Sequence, residues 1–73
     1  MQDVKINTET IQLCQMLKIA GVIDSGGQAR FLLEDGIVFL NGNQETAKRR
    51  QLRDGDVVEV KGKGVWRIVK QGA

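Results

Sequence analysis

Apolar and polar residues change their spacing several times along this chain, and each change marks the edge of an element. At the start, "DVKI", Asp3 to Ile6, alternates with a period of two, which predicts a short strand. "TETIQLCQMLKIAG" then shifts to helical spacing, with Leu13, Cys14, Leu17 and Ala20 on one stripe. Thr8 is a suitable cap, Glu9 suits the positive end of the helix dipole, and Gly21 is a natural stop. Ile11 and Ile19 fall nearly opposite the stripe, so this helix is expected to be packed on two sides, the other reading being apolar surface offered to a partner.

After the link "GVID", Ser25 followed three residues later by Gln28 is a capping box, which puts Gly26 and Gly27 in the first turn of a second helix. Ala29, Leu32 and Leu33 form its inward stripe and Gly36 closes it. "IVFL", Ile37 to Leu40, is too short for a helix and too apolar for a surface strand, so it is expected to be central and covered on both faces. Asn41-Gly42 is the preferred two-residue hairpin turn, and "NQETA" returns as a weak edge. "DGD" turns again, "VVEVKG" alternates as a strand, and "VWRIVK" reads as its hairpin partner. The predicted fold is α+β: a short N-terminal strand, two packed helices, then a small antiparallel sheet of about four strands, all in one domain over residues 1–73.

Composition narrows the function classes. A fold of 73 residues buries only about 60% of its unfolded surface, so one core is the limit. No apolar run approaches the roughly 20 residues of a membrane span, and the start lacks the order of a secretion signal, so no membrane partner and a cytoplasmic location are expected. With one cysteine and no histidine, neither an intrachain disulfide, a zinc-type ligand cluster nor a histidine-based triad can be assembled. Cys14 reads as a small buried hydrophobe, and Asp24, Asp54 and Asp56 sit at turns where aspartate bonds its own backbone. No catalytic residue, metal, cofactor or small-molecule substrate is therefore expected.

The net charge of +2 says little, but its placement says more. "KRRQLR", residues 48–53, carries four cations and no acid: Lys48, Arg49, Arg50 and Arg53. Concentrated guanidinium groups suit bidentate contact with phosphate oxygens, against the plainer reading of a solvated loop face. The start of the second helix offers a second anion-favouring element: backbone N–H groups of Gly26, Gly27 and Gln28, with Arg30 beside them. A helix end satisfied by Ser25 and Gln28, with the glycines easing a helix crossing, is the equal alternative. If the two regions meet, they form one anion-binding face. Phe31 and Trp66 are expected to cover the core rather than stack on a base.

Taken together, "LKIAGVIDSGGQAR", "DGIVFLNG" and "RQLRDGDVVEV" resemble the small RNA-binding domain named after ribosomal protein S-four, the alpha-L motif, over about residues 9 to 61. The closest likeness is to stand-alone bacterial members of around seventy residues thought to associate with ribosomes. The resemblance implies contact with structured RNA, ribosomal RNA or an assembling ribosomal particle, through Lys18, Ser25, Gly26, Gly27, Gln28 and Arg30 together with Lys48, Arg49, Arg50 and Arg53. Many members have arginine directly after the serine; Gly26 stands there here, so one phosphate contact is absent or comes from another group. Two other readings compete. "VFLNGNQ" and "LRDGDVVEV" are also similar to beta-grasp sulfur carriers, whose Gly-Gly carboxyl end is not matched by "KQGA". Alternatively, the two helices make a helix-turn-helix for duplex DNA, although the second is short and opens with glycines. A monomer is the default.

Overall fold

The computed structural model describes residues 1–72. In chain order the elements are β1 (Gln2–Ile6), β2 (Ile11–Gln12), α1 (Leu13–Ile19), a 3-10 turn (Gly26–Gln28), α2 (Ala29–Glu34), β3 (Val38–Leu40), β4 (Asn43–Gln44), β5 (Gln51–Leu52), β6 (Val57–Val60) and β7 (Gly64–Lys70). Five strands form one sheet in the order β1-β7-β6-β3-β4, and β2 and β5 form a separate two-stranded ladder.

The α+β expectation holds, with a change to the sheet. β3, β4, β6 and β7 are antiparallel neighbours, but β1 joins the edge of β7 in parallel, with Gln2 beside Trp66 and Ile6 beside Lys70. A parallel pair needs a long crossover, and here the crossover is nearly the whole intervening chain. Alternation in β1 shows only that one face is buried and is silent on which neighbour it takes.

Period two then decides what the sheet covers. Val4, Ile6, Val38, Leu40, Val58, Val60, Trp66 and Ile68 are all buried at alternate strand positions. Against them pack Leu13, Met16 and Leu17 of α1 and Ala29 and Leu33 of α2, with Ile11, Ile23 and Leu52, in one continuous cluster. Since the helices lie on one side of the sheet, β3 is covered on one face and not on two as its apolar run predicts. Its outward residue, Phe39, is half-buried, with the Lys61 ammonium 4.7 Å from the ring centroid. The predicted hairpin turn is present: Asn41 and Gly42 adopt φ of 51° and 87°, a pair of left-handed conformations that suits the twist of two strands joined by two residues. Gly36 closes α2 at φ 72°, its N–H bonded to the Leu33 carbonyl at 3.1 Å.

The largest departure concerns the first helix, which begins at Leu13 and not at Thr8. Ile11 and Gln12 are drawn into antiparallel pairing with Leu52 and Gln51. The next two amides, Leu13 N–H and Cys14 N–H, donate to the carbonyls of Arg50 and Lys48, both at 2.9 Å. These are the first-turn donors that a helix leaves unpaired, and main chain from the basic segment satisfies them. Thr8 instead donates its hydroxyl to the Thr10 carbonyl at 2.7 Å, and Glu9 pairs with Lys70. The later start moves the buried stripe to Leu13, Met16 and Leu17 and leaves Cys14 and Ala20 half-buried. Two-sided packing of the helix does not occur. Ile11 is buried as a strand residue, and Ile19 is 61% exposed.

Trp66 lies in the core as expected, 5% exposed, whereas Phe31 does not: it is 55% exposed. Its neighbours Leu32 and Leu33 turn inward, leaving residue 31 on the outer side of α2.

Leu52, fully buried, anchors the basic segment against the core. Leu52→Ala should therefore lower unfolding free energy by about 2–5 kcal/mol, read from urea denaturation. It should also speed amide exchange at Leu13 and Cys14, whose acceptors lie on that segment.

Candidate nucleic-acid interface

The ten sequence-predicted contact residues lie at the surface, all exposed except Gly26, which is half-buried. Each is held by a different piece of the fold. Ser25 precedes the 3-10 turn in extended conformation, and Gln28 Oε1 accepts from the N–H of Asp24 at 2.6 Å and of Ser25 at 3.4 Å, so the glutamine half of the capping box forms. Gln28 N–H is occupied by the Ser25 carbonyl at 3.1 Å. The expectation that it stays free for an anion is corrected, and Gly26 and Gly27 remain as the donors. The turn carrying them is 3-10, and α2 beyond it has six residues. The dipole there is accordingly small.

The main chain of the basic run is held against the start of α1, so the side chains of Lys48, Arg49 and Arg50 project from a strap fixed by two hydrogen bonds and the β2–β5 ladder. Asp56 fixes its far end: Oδ2 accepts from Arg53 N–H at 2.9 Å while Oδ1 accepts from Asn41 Nδ2 at 3.1 Å. Asn41 Oδ1 in turn accepts from Val57 N–H at 2.9 Å. One aspartate thus ties the basic run to the Asn-Gly turn. "DGD" reads in sequence only as a turn, and no local signal announces this link across the fold.

The two predicted regions meet through Arg30. Arg30 and Lys48 line a single concavity of ≈ 400 Å³ with Leu33, Glu34, Gln44 and Thr46. Gln44 also borders a neighbouring concavity lined by Arg50 and Glu45, whose side chains form an ion pair at 3.7 Å. Lys18 and Arg53 occupy two further concavities that share Thr10. Five of the candidate residues thus fall into two pairs of neighbouring concavities, one pair sharing Gln44 and holding Arg30, Lys48 and Arg50, the other sharing Thr10 and holding Lys18 and Arg53. Among the described residues, Lys18, Arg30, Lys48, Arg49 and Arg53 make no ion pair.

Lys70 was not among the predicted contacts. It sits beside Arg53 and donates to Glu9, and that hydrogen bond, reinforced by the ammonium charge, holds the Glu9 carboxyl below its ordinary value of 4.5.

A mixed sheet carrying two short helices on one face, with a basic strap capping the first helix, defines a small α+β module of the S4 type. The chain matches the S4 domain family model over residues 4–69 and belongs to that family. It is 42% identical over 66 residues to a Bacillus subtilis protein named "Probable ribosome maturation protein RlbA", covering 90% of this chain and 93% of that one. It is 36% identical over 55 residues to the Escherichia coli "Putative RNA-binding protein YbcJ", covering 75% of this chain and 79% of the relative.

The Glu9–Lys70 pair gives a pH-dependent expectation. A carboxyl lowered in the folded state favours folding at pH above its unfolded value, and that contribution disappears as pH falls through the folded one. An NMR titration of the Glu9 side chain should show a midpoint below 4.5 in the native protein and an upward return in Lys70→Met.

Proposed function

We propose that this protein is a non-enzymatic, cytoplasmic RNA-binding module that acts as a monomer on ribosomal RNA or an assembling ribosomal particle. It grips folded backbone rather than reading a sequence. The observation that carries this reading is the shared concavity of Arg30 and Lys48, which brings a cation from the second helix beside one from the basic strap. In this reading Arg49, Arg50 and Arg53, exposed on the same segment as Lys48, add further phosphate contacts with Lys18, and the surface turn of Ser25, Gly26, Gly27 and Gln28 beside Arg30 adds backbone ones. Guanidinium groups suit phosphate oxygens, and recognition of A-form RNA relies on backbone and shape because its major groove is closed to side chains. The names of the two relatives, one for ribosome maturation and one for RNA binding, support the same assignment. Duplex DNA is the weaker alternative, since a recognition helix of six residues presents little surface to a major groove.

With about three to five phosphates neutralised, the log–log salt dependence of RNA binding should have a slope of about −2 to −4. The triple variant Lys48→Ala, Arg49→Ala, Arg50→Ala should flatten it while leaving the melting transition nearly unchanged. Helix α1 is capped by the carbonyls of the strap and not by its side chains, and the Arg50–Glu45 pair is a surface one, worth at most about 1 kcal/mol. Competition between a structured RNA and duplex DNA at two salt concentrations should favour the RNA at both. A folded triple variant with wild-type affinity and slope would reject the strap as the contact.

A further inference from the structure

Phe31 is the aromatic residue that the fold leaves in water. It is 55% exposed, whereas Phe39 is half-buried under Lys61 and Trp66 is in the core. Exposure of one apolar side chain means little by itself. Its surroundings add meaning: the Arg30 guanidinium stands 5.2 Å from the Phe31 ring centroid, and Arg30 also lines the concavity containing Lys48. An aromatic ring thus stands beside a cationic recess, the two joined by one arginine. A nucleotide presents the matching pair of groups, a flat base attached to a phosphate.

We infer that Phe31 is the stacking platform for one unpaired nucleobase of the bound RNA, whose adjoining phosphate sits in the recess between Arg30 and Lys48. The inference rests on the RNA reading above and adds to it a preference for backbone that carries an extruded base over continuous duplex. Stacking on a ring tolerates any of the four bases, so the preference is for exposure of the base and not for its identity. Arg30 serves both halves: its guanidinium polarises the ring face and meets the phosphate oxygens. Glu34 is the acidic residue lining the same recess; among the described residues it forms no ion pair with either cation. It disfavours a phosphate placed deep on its side, which leaves the position nearer Arg30 and the ring.

The test uses the full chain and two RNA hairpins of identical stem, one with an intact loop containing unpaired purines and one with abasic nucleotides at those positions. Affinities are compared for wild type, Phe31→Ala and Phe31→Trp, each checked for an unchanged melting transition. Wild type should bind the intact loop more tightly, Phe31→Ala should lose roughly tenfold on it and little on the abasic loop, and Phe31→Trp should retain the preference. The salt slope should stay the same in Phe31→Ala, since no charge is removed, in contrast to the strap variant. Equal affinities of wild type and folded Phe31→Ala for the intact loop would overturn the inference and return the exposed ring to a protein contact, leaving the RNA reading in place. Absence of binding by wild type to both hairpins would overturn the RNA reading and this inference together.

Discussion

Two carbonyl oxygens, those of Lys48 and Arg50, tie the first helix to the basic strap. A helix of seven residues is far too short to persist alone, because the cost of its first turn is spread over too few hydrogen bonds. α1 exists because its leading amides meet those acceptors and because Leu13, Met16 and Leu17 bury against the sheet. The same contacts fix the backbone of the cationic strap. Helix stability and placement of the strap's charged side chains are consequently one interaction seen from its two ends, and neither can be loosened without the other.

Charge is organised by the same division of labour. Most of the acids have structural work: Asp54 accepts from Lys70 N–H at 2.8 Å, Asp56 holds Arg53 and Asn41, and Glu45 accepts from Thr46 and Ala47 N–H, each at 3.0 Å. Asp3 pairs with Arg67, and Glu9 with Lys70. Lys18, Arg30, Lys48, Arg49 and Arg53 of the candidate interface are left without such partners among the described residues. A net charge of +2 thus understates the positive field a polyanion meets on approach to this surface.

What could be read from the sequence followed from local chemistry. The Asn-Gly turn, the stop at Gly36, the Gln28 contact to the residues before its helix and the alternation of the later strands are all written within a few neighbouring residues. What could not be read depended on distant chain. Residues 8–12 have a respectable helical pattern, yet Ile11 belongs to a strand because Leu52 lies across from it, forty-one positions later. Likewise, nothing near Asp3–Ile6 states that the strand will run parallel to β7, and the inward turn of Leu32 and Leu33 that strands Phe31 outside is set by the sheet beneath them. For the candidate site, the sequence offers residue types suited to phosphate, but the meeting of Arg30 with Lys48 in one concavity and the placing of Lys18 and Arg53 in others are products of the tertiary fold.

The parallel pairing of β1 with β7 joins two segments separated by most of the intervening fold, with Gln2 beside Trp66. Without β7, β1 has no strand beside it, and Val4 and Ile6 lose part of their cover. Closure by such sequence-distant contacts slows folding relative to local helical packing. A chain cut before β7 would leave the apolar side of β1, Val4 and Ile6, open to its neighbours.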